Sequence, residues 1–457
     1  MKLQKSSEKK RLIEWDKRYI WHPFTQMSEW LASEPLIIEK AEGNYLIDIE
    51  GRRYLDGVSS LWVNRWGHNN REINSAIVKQ IENVSHTTFL GLSSPAPIIL
   101  AKMLTEFLPK SLSKVFFSDN GSTAVEVALK ISFQYWQNKG GKATKKTKFV
   151  SLKYGYHGDT IGVVSIGGID LFHKIYRPLL FESYKVESPY CYRCAYSLNP
   201  IDCDLRCANY VEEIFAERKS EIAALIMEPL VQAAGGIIVH PKGFLKRISE
   251  FCAEYGVLLI LDEVATGFGI TGSLFAFEQE NVIPDILCIA KALSGGYLPI
   301  AATITSEKIF REFLGLYSEK TFFHGHTYTA NPLAAAAGIA NLKLFRNVTK
   351  IKKKILVFQQ LLTRLKNFPF VGDIRQKGLI AGIELVANKE TKEEFPIEER
   401  VGHKVCMKVR EKGVILRPLG NVIVIIPPLS IKEVELKKII DAIRWALEET
   451  FKGLKGK

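Results

Sequence analysis

At 457 residues, 47% hydrophobic and 24% charged, the chain is long enough for a large core and more than one domain, and its composition is that of a soluble globular protein. No apolar run approaches the ~18 residues of a membrane span, and the basic N-terminus leads into no apolar secretory core, so a cytoplasmic protein without membrane association is expected. The formal net charge of +13 raises nucleic acid as a partner, but the basic residues are scattered over Lys9–Arg11, Lys139–Lys148, Lys350–Lys354 and Lys452–Lys457 without interleaved aromatics, which reads as solvated faces and predicts no nucleic-acid partner.

In chain order, a charged helical stretch gives way at Trp21-His22-Pro23-Phe24-Thr25-Gln26, where proline stops the helix and the aromatics suggest a segment laid against a surface. Short alternating runs at Leu36–Glu39, Tyr45–Asp48 and Arg53–Asp56, separated by Gly43 and Gly51, predict an antiparallel meander. A glycine- and aromatic-rich loop, Gly57–His68, follows and has the composition of a pocket wall or of a packed turn. From about residue 72 helices alternate with apolar strands at Lys114–Phe117, Lys148–Leu152, Ala223–Met227, Val257–Leu261, Asp285–Ala290 and Ala301–Ile304, the signature of a mostly parallel α/β sheet. After about Asn331 the pattern becomes α+β, with strands expected at Val371–Arg375, Leu379–Leu385, Gly413–Arg417 and Val422–Ile426. An amphipathic helix bearing Leu436, Ile439, Ile440, Ile443, Ala446 and Leu447 on one face closes the chain. The expected division is a large α/β domain at 66–333 and a small α+β domain formed by both termini, 1–65 and 334–457.

Three stretches carry chemistry. Val115–Glu126 reads as strand, tight turn and helix, with capping-box spacing between Thr123 and Glu126; Gly121 admits close backbone approach, and a helix start favours phosphate. Asp262 and Glu263 directly follow a fully apolar strand, where an unpaired carboxylate is costly. They are either caps and structural ion-pair partners or acceptors for a buried cationic group. Lys291 exits the next apolar strand and is followed by Ser294-Gly-Gly296. Such a lysine either reaches solvent as an ordinary charge or is held where desolvation makes it nucleophilic. In parallel topology Asp262 and Lys291 emerge at one sheet edge. A carboxylate, an amine and a phosphate-binding helix start there match pyridoxal phosphate. Separately, Cys191-x2-Cys194 and Cys203-x3-Cys207 form two close pairs, read either as metal ligands or as loop thiols without a cofactor. Cys252, Cys288 and Cys406 sit in apolar runs and read as core.

The order Gly121-Ser122, Tyr156-His157-Gly158, Asp262-Glu263-Val264-Ala-Thr-Gly267, Lys291 and Gly325-His326-Thr327 resembles the class III aminotransferases of the fold-type-I pyridoxal phosphate enzymes, over roughly residues 15–450. Within that class, the Trp-His-Pro segment at 21–23, Gln134-Tyr135-Trp136, Gly155–Thr160 and Leu416-Arg417-Pro418 are similar to the branch that makes 7,8-diaminononanoate from 8-amino-7-oxononanoate in biotin biosynthesis. The resemblance implies that Lys291 binds the cofactor's aldehyde and shuttles protons while Asp262 pairs with the pyridine nitrogen. Gly121 and Ser122 take the phosphate, and Tyr156 lies near the ring or substrate. Gly325, His326 and Thr327 reach across a homodimer interface, Thr327 to the partner's phosphate. Arg417 holds a substrate carboxylate, and Trp62 lines the alkyl chain. It also implies ping-pong transfer from S-adenosylmethionine. Two departures bear on the donor: Phe24 stands where tyrosine is frequent, and Leu61-Trp62 where paired tryptophans are. Some relatives with phenylalanine at that position use lysine instead. An ornithine- or 4-aminobutyrate-type ω-amino-acid transaminase is the alternative within the class.

Overall fold

The computed structural model describes residues 2–199, 203–345 and 351–453, so Lys350 and the end of the last basic stretch lie outside the described residues. Seven strands form the central sheet in the order Leu112–Ser118, Ala301–Ser306, Ile286–Ile289, Leu258–Asp262, Ile222–Met227, Lys148–Leu152 and Tyr184–Val186. The last five of these run parallel, and Ala301–Ser306 is antiparallel to both of its neighbours. Ile222–Met227, Leu258–Asp262 and Ile286–Ile289 are buried along their whole length. That is why they appear in the sequence as unbroken apolar runs: both faces are covered by helices.

The N-terminal meander, Ile38–Glu42, Tyr45–Asp48 and Arg53–Asp56, is completed by Val414–Ile415 from the far end of the chain, parallel to Arg53–Asp56. A second antiparallel sheet joins Val371–Lys377, Ile380–Asn388, Val422–Ile425 and Arg417–Leu419, in that order. The single strand expected over Gly413–Arg417 is therefore two strands in two sheets. Pro418 has no N–H to give to a ladder and sits in the terminal strand of its sheet, the position where proline is tolerated. The C-terminal helix Glu433–Thr450 buries all six residues of its expected apolar face. Among the described residues no helix is long and apolar enough to cross a membrane.

Trp21 and Phe24 are not laid against the chain's own surface, being 87% and 58% exposed. Phe24 has a left-handed backbone (φ 50°) and meets Phe172 edge to face, with ring centroids 5.2 Å apart.

Candidate active site

The sheet register places the two key side chains. Asp262 ends its strand opposite Cys288 of the parallel neighbour, and Lys291 follows three residues later. Both therefore leave the carboxyl edge of the sheet together, where open α/β sheets bind ligands. They face one cavity of about 480 Å³, whose walls include Trp62, Gly121, Ser122, Tyr156, His157 and Glu228. Lys291 itself adopts a left-handed backbone (φ 46°) at the start of a short 3₁₀ turn. Strain of this kind in a non-glycine residue gathers at functional sites.

Asp262 is buried; its Oδ2 lies 2.7 Å from His157 Nδ1 and its Oδ1 accepts the Val264 N–H at 3.0 Å. His157 Nε2 is buried and has no partner among the described residues. Glu263 serves the fold instead, accepting Thr266 Oγ1 at 2.6 Å and the Phe277 N–H at 2.9 Å, with burial pushing its carboxyl up to about 7. The adjacent carboxylates of the sequence thus divide their work. Lys291 Nζ stands 4.8 Å from the centre of the Trp62 ring. Burial pulls its amine below the ordinary lysine range; Asp262 and Glu228 oppose that shift and Arg65 adds to it. A lysine so placed holds a larger share of neutral amine at a given pH than an exposed lysine does.

The helix Gly121–Lys139 begins at the opposite wall. Its cap is Asn120, whose side chain accepts the Thr123 N–H while Thr123 Oγ1 accepts the Asn120 N–H. The capping box is thus Asn120/Thr123, one turn before the expected Thr123/Glu126. Glu126 instead accepts Thr160 Oγ1 at 2.5 Å, tying the helix to the loop after Gly158. The first N–H groups of a helix have no intrahelical acceptors, and the residues that carry them here, Gly121 and Ser122, line the cavity. A Cβ on Gly121 would meet Val264 Cγ1 at 2.8 Å, and one on Gly158, at φ 128°, would overlap Ser122. The unpartnered His157 nitrogen, the cradle held open by two glycines, the buried Asp262 and the lysine amine suit a flat heteroaromatic ring with one anionic end and one electrophilic end. The residues fit pyridoxal phosphate.

Of the residues singled out in the sequence, Trp62, Gly121, Ser122, Tyr156, Asp262 and Lys291 meet in this cavity. Phe24, Gly325, His326, Thr327 and Arg417 do not line it. Gly325, Thr327 and Arg417 are exposed. His326 Nδ1 comes within 3.7 Å of Asp119, which does line the cavity. All seven cysteines are free. Cys191, Cys194, Cys203 and Cys207 surround a separate cavity of about 30 Å³. Among the described residues no group of three or more histidine, cysteine or acidic side chains is arranged to hold a metal ion.

Glu228 was not foreseen. It accepts the Tyr156 and Ala233 N–H groups at 3.2 and 2.8 Å, and burial, reinforced by Asp262, pushes its carboxyl up to about 8. The signal was present: Glu228 follows the apolar strand Ile222–Met227 just as Asp262 ends its own.

The model of the family described as aminotransferase class-III matches residues 27–447. The adenosylmethionine-8-amino-7-oxononanoate aminotransferase of Geobacter sulfurreducens is 49% identical over 97% of this chain and 98% of its own length. That of Aquifex aeolicus is 49% identical over 96% and 98%. Among solved structures, the Methanocaldococcus jannaschii enzyme of the same name superposes with a TM-score of 0.92 at 44% identity, covering 96% of this chain and 99% of its own. A pyridoxal-phosphate-bound amine transaminase from an uncultivated Pseudomonas species gives 0.90 at 35%, covering 94% and 98%. With the family match spanning nearly the whole fold and the cavity suited to the cofactor, the chain belongs to the class III aminotransferases and is a pyridoxal-phosphate-dependent enzyme.

Proposed function

We propose that this aminotransferase converts 8-amino-7-oxononanoate to 7,8-diaminononanoate, with S-adenosylmethionine as donor, lysine as the alternative donor, and a homodimer as the working assembly. The observation that carries the reading is the 49% identity, over nearly the full length of both chains, to relatives named for that reaction. The bound cofactor supplies an aldehyde that condenses with amines and a ring that takes up the electrons of a deprotonated carbon.

The chain's own residues do the rest. The N–H groups of Gly121 and Ser122, at the positive end of a 19-residue helix, bind the phosphate. Asp262, oriented by His157, holds a proton at the pyridine nitrogen. Lys291 Nζ would hold the cofactor and, once the donor's amine has displaced it, would be the free amine that takes the proton from the donor's amine-bearing carbon. Trp62 and Tyr156 flank the substrate chain and keep water from it. Arg417 is exposed, and its guanidinium has no ion-pair partner among the described residues, so it is free to grip the substrate's distal carboxylate with its planar fork. Phe24 takes part in selecting the donor. Its edge contact with Phe172, which in turn meets the Tyr156 ring at 6.3 Å, links it to the cavity wall.

The dimer reading is supported by what one chain leaves uncovered. Leu90, Phe323 and Tyr328 are 64%, 60% and 60% exposed around Gly325–Thr327, and apolar surface of that kind marks association faces. There Thr327 reaches the phosphate of a second copy, with Gly325 and His326 beside it.

Half-reactions test the proposal. S-adenosylmethionine or lysine, added separately to the purified yellow enzyme, should bleach the visible band, and 8-amino-7-oxononanoate should restore it. Restoration by 2-oxoglutarate alone would instead assign an ω-amino-acid transaminase.

A further inference from the structure

Arg65 does not line the cavity, yet its burial is complete. Among the described residues its guanidinium has no carboxylate partner. It donates only to backbone carbonyls: from Nε to Phe268 at 3.1 Å, from Nη1 to Trp62 at 3.1 Å and from Nη2 to Gly267 at 3.2 Å. A buried charge without a counter-charge is costly, and an apolar side chain of similar volume would fill the space without that cost. Something other than packing has to account for it.

Of the three carbonyls, that of Trp62 belongs to the cavity wall beside Lys291, and those of Gly267 and Phe268 follow two and three residues after Ala265, where the wall formed by Asp262, Val264 and Ala265 ends. Trp62 presents its ring to Nζ, and Gly267–Phe268 lies just past Asp262. Both segments hold non-glycine residues in left-handed backbone, with φ of 51°, 61° and 64° at Ser59, Ser60 and Trp62 and 63° at Phe268. Such conformations persist only where neighbours over-determine them, and the Arg65 fork spans the two segments. The Arg65 carbonyl also accepts the Leu429 N–H at 2.8 Å, anchoring the residue from a third side.

The charge has a direction as well. The titratable groups sharing the cavity with Lys291 are Asp119, Tyr156, His157, Glu228, Asp262 and Tyr297. Of these, Asp262 and Glu228 act on the amine and favour its ammonium form. Arg65 is the cation acting against them, and burial of the amine pulls the same way as Arg65. Burial lowers the arginine itself to about 9, which leaves it charged at neutral pH.

We propose that Arg65 is a positioning residue for Lys291: its fork fixes the Trp62 indole against Nζ, and its charge, with no carboxylate of its own, offsets the Asp262 carboxylate facing the amine, and that of Glu228 where it ionises. The inference rests on Lys291 being the amine that holds the cofactor.

The test uses full-length R65Q, R65M and R65K with two pH titrations. One is the acetylation of Lys291 in the cofactor-free chain, followed by peptide mass. The other is the visible band of the cofactor-loaded enzyme. Removing the cation favours the ammonium, so R65Q and R65M should raise both midpoints by about half to one pH unit, while R65K, which keeps a charge, should shift them less. Folded neutral variants with wild-type midpoints would overturn the proposal. So would an R65K shift as large as that of R65Q, or neutral variants that both fail to fold, since Arg65 would then serve the fold alone. Wild-type protein lacking cofactor on Lys291 would instead sink the reading of the site itself.

Discussion

Asp262 and Glu228 share the sheet edge with the Lys291 amine, and two buried carboxylates so close cannot both ionise cheaply. Asp262 is relieved by His157 and the Val264 N–H. Glu228 accepts only two backbone N–H groups and stays protonated up to about 8. Glu228 therefore carries a proton at neutral pH and adds no second negative charge beside the amine. The consequence for stability has a definite sign. The unfolded carboxyl loses its proton near 4.5 and the folded one near 8, so the native state binds more protons in between and stability falls as pH rises through that window. Glu228→Gln mimics the protonated acid and should remove this share of the loss, on the order of 3–5 kcal/mol. Comparing urea-unfolding midpoints at pH 5 and pH 8.5 checks it; a variant that weakens with pH as steeply as wild type would refute the assignment.

At the scale of elements, the cradle proposed for the phosphate depends on a helix start meeting a loop at van der Waals distance. Gly158 combines a φ that side chains rarely adopt with direct contact on Ser122. Gly158→Ala should fold but bind pyridoxal phosphate at least roughly tenfold more weakly, since displacing Ser122 disturbs the N–H groups that take the phosphate. Titrating the cofactor-free variant with pyridoxal phosphate by absorbance reads this directly, and wild-type affinity would exclude the cradle. The legibility of these elements follows the same physics. Strands buried on both faces were readable because Ile222–Met227 and Ile286–Ile289 have nothing but apolar residues to show. The helix start was placed one turn late because Asn120/Thr123 and Thr123/Glu126 offer overlapping capping patterns, and only the position of Thr160 shows where Glu126 is used. The strand over Gly413–Arg417 was misread because its partners lie hundreds of residues apart: Val414–Ile415 pairs with Arg53–Asp56, whereas Arg417–Leu419 pairs with its own hairpin neighbour. The shared sheet edge of Asp262 and Lys291 was legible from two apolar strands, but the local pattern left the lysine open between an ordinary charge and a nucleophilic amine. Arg65 was not legible, since its partners are the carbonyls of Trp62, Gly267 and Phe268 and leave no trace in sequence.

Across the whole molecule, the C-terminal sheet has to be fixed to the part that carries the cavity if Arg417 is to act on a substrate held at Lys291. One buried ionic cluster makes that connection. Glu384, in the strand Ile380–Asn388, accepts Arg375 Nη1 at 2.5 Å, Arg193 Nε at 2.7 Å and the Tyr190 hydroxyl. Arg375 in turn donates to the carbonyls of Ile237 at 2.9 Å and Gly236 at 2.7 Å, close in sequence to Ala234 in the cavity wall. Arg193 Nη1 and the Tyr192 carbonyl hold Lys392 from the other side, at 2.8 and 2.7 Å. Burial alone would raise the Glu384 carboxyl, but Arg375, Tyr190 and Arg193 outweigh it and hold it below the ordinary range. An acid depressed in this way stabilises the fold above its unfolded pKa of about 4.5, and that contribution is lost as pH falls through the lower folded value. Glu384→Ala leaves Arg375 with Asp373, at 2.8 Å from Nη1, as its remaining carboxylate partner, so the loss stays below the roughly 3–5 kcal/mol of a buried charge left wholly unpaired. Glu384→Gln keeps the shape but not the charge, so it should lose less at pH 7 and show a weaker acid dependence below pH 4.5. If the cluster is what joins the two parts and Arg417 grips the acceptor as proposed, Glu384→Ala should also raise KM for the acceptor substrate while the cofactor's visible band stays as in wild type, because Arg417 is displaced and the cavity is not. Melting curves at pH 7 and pH 4, together with the KM, decide it: an unchanged melting temperature or an unchanged KM would place the coupling elsewhere.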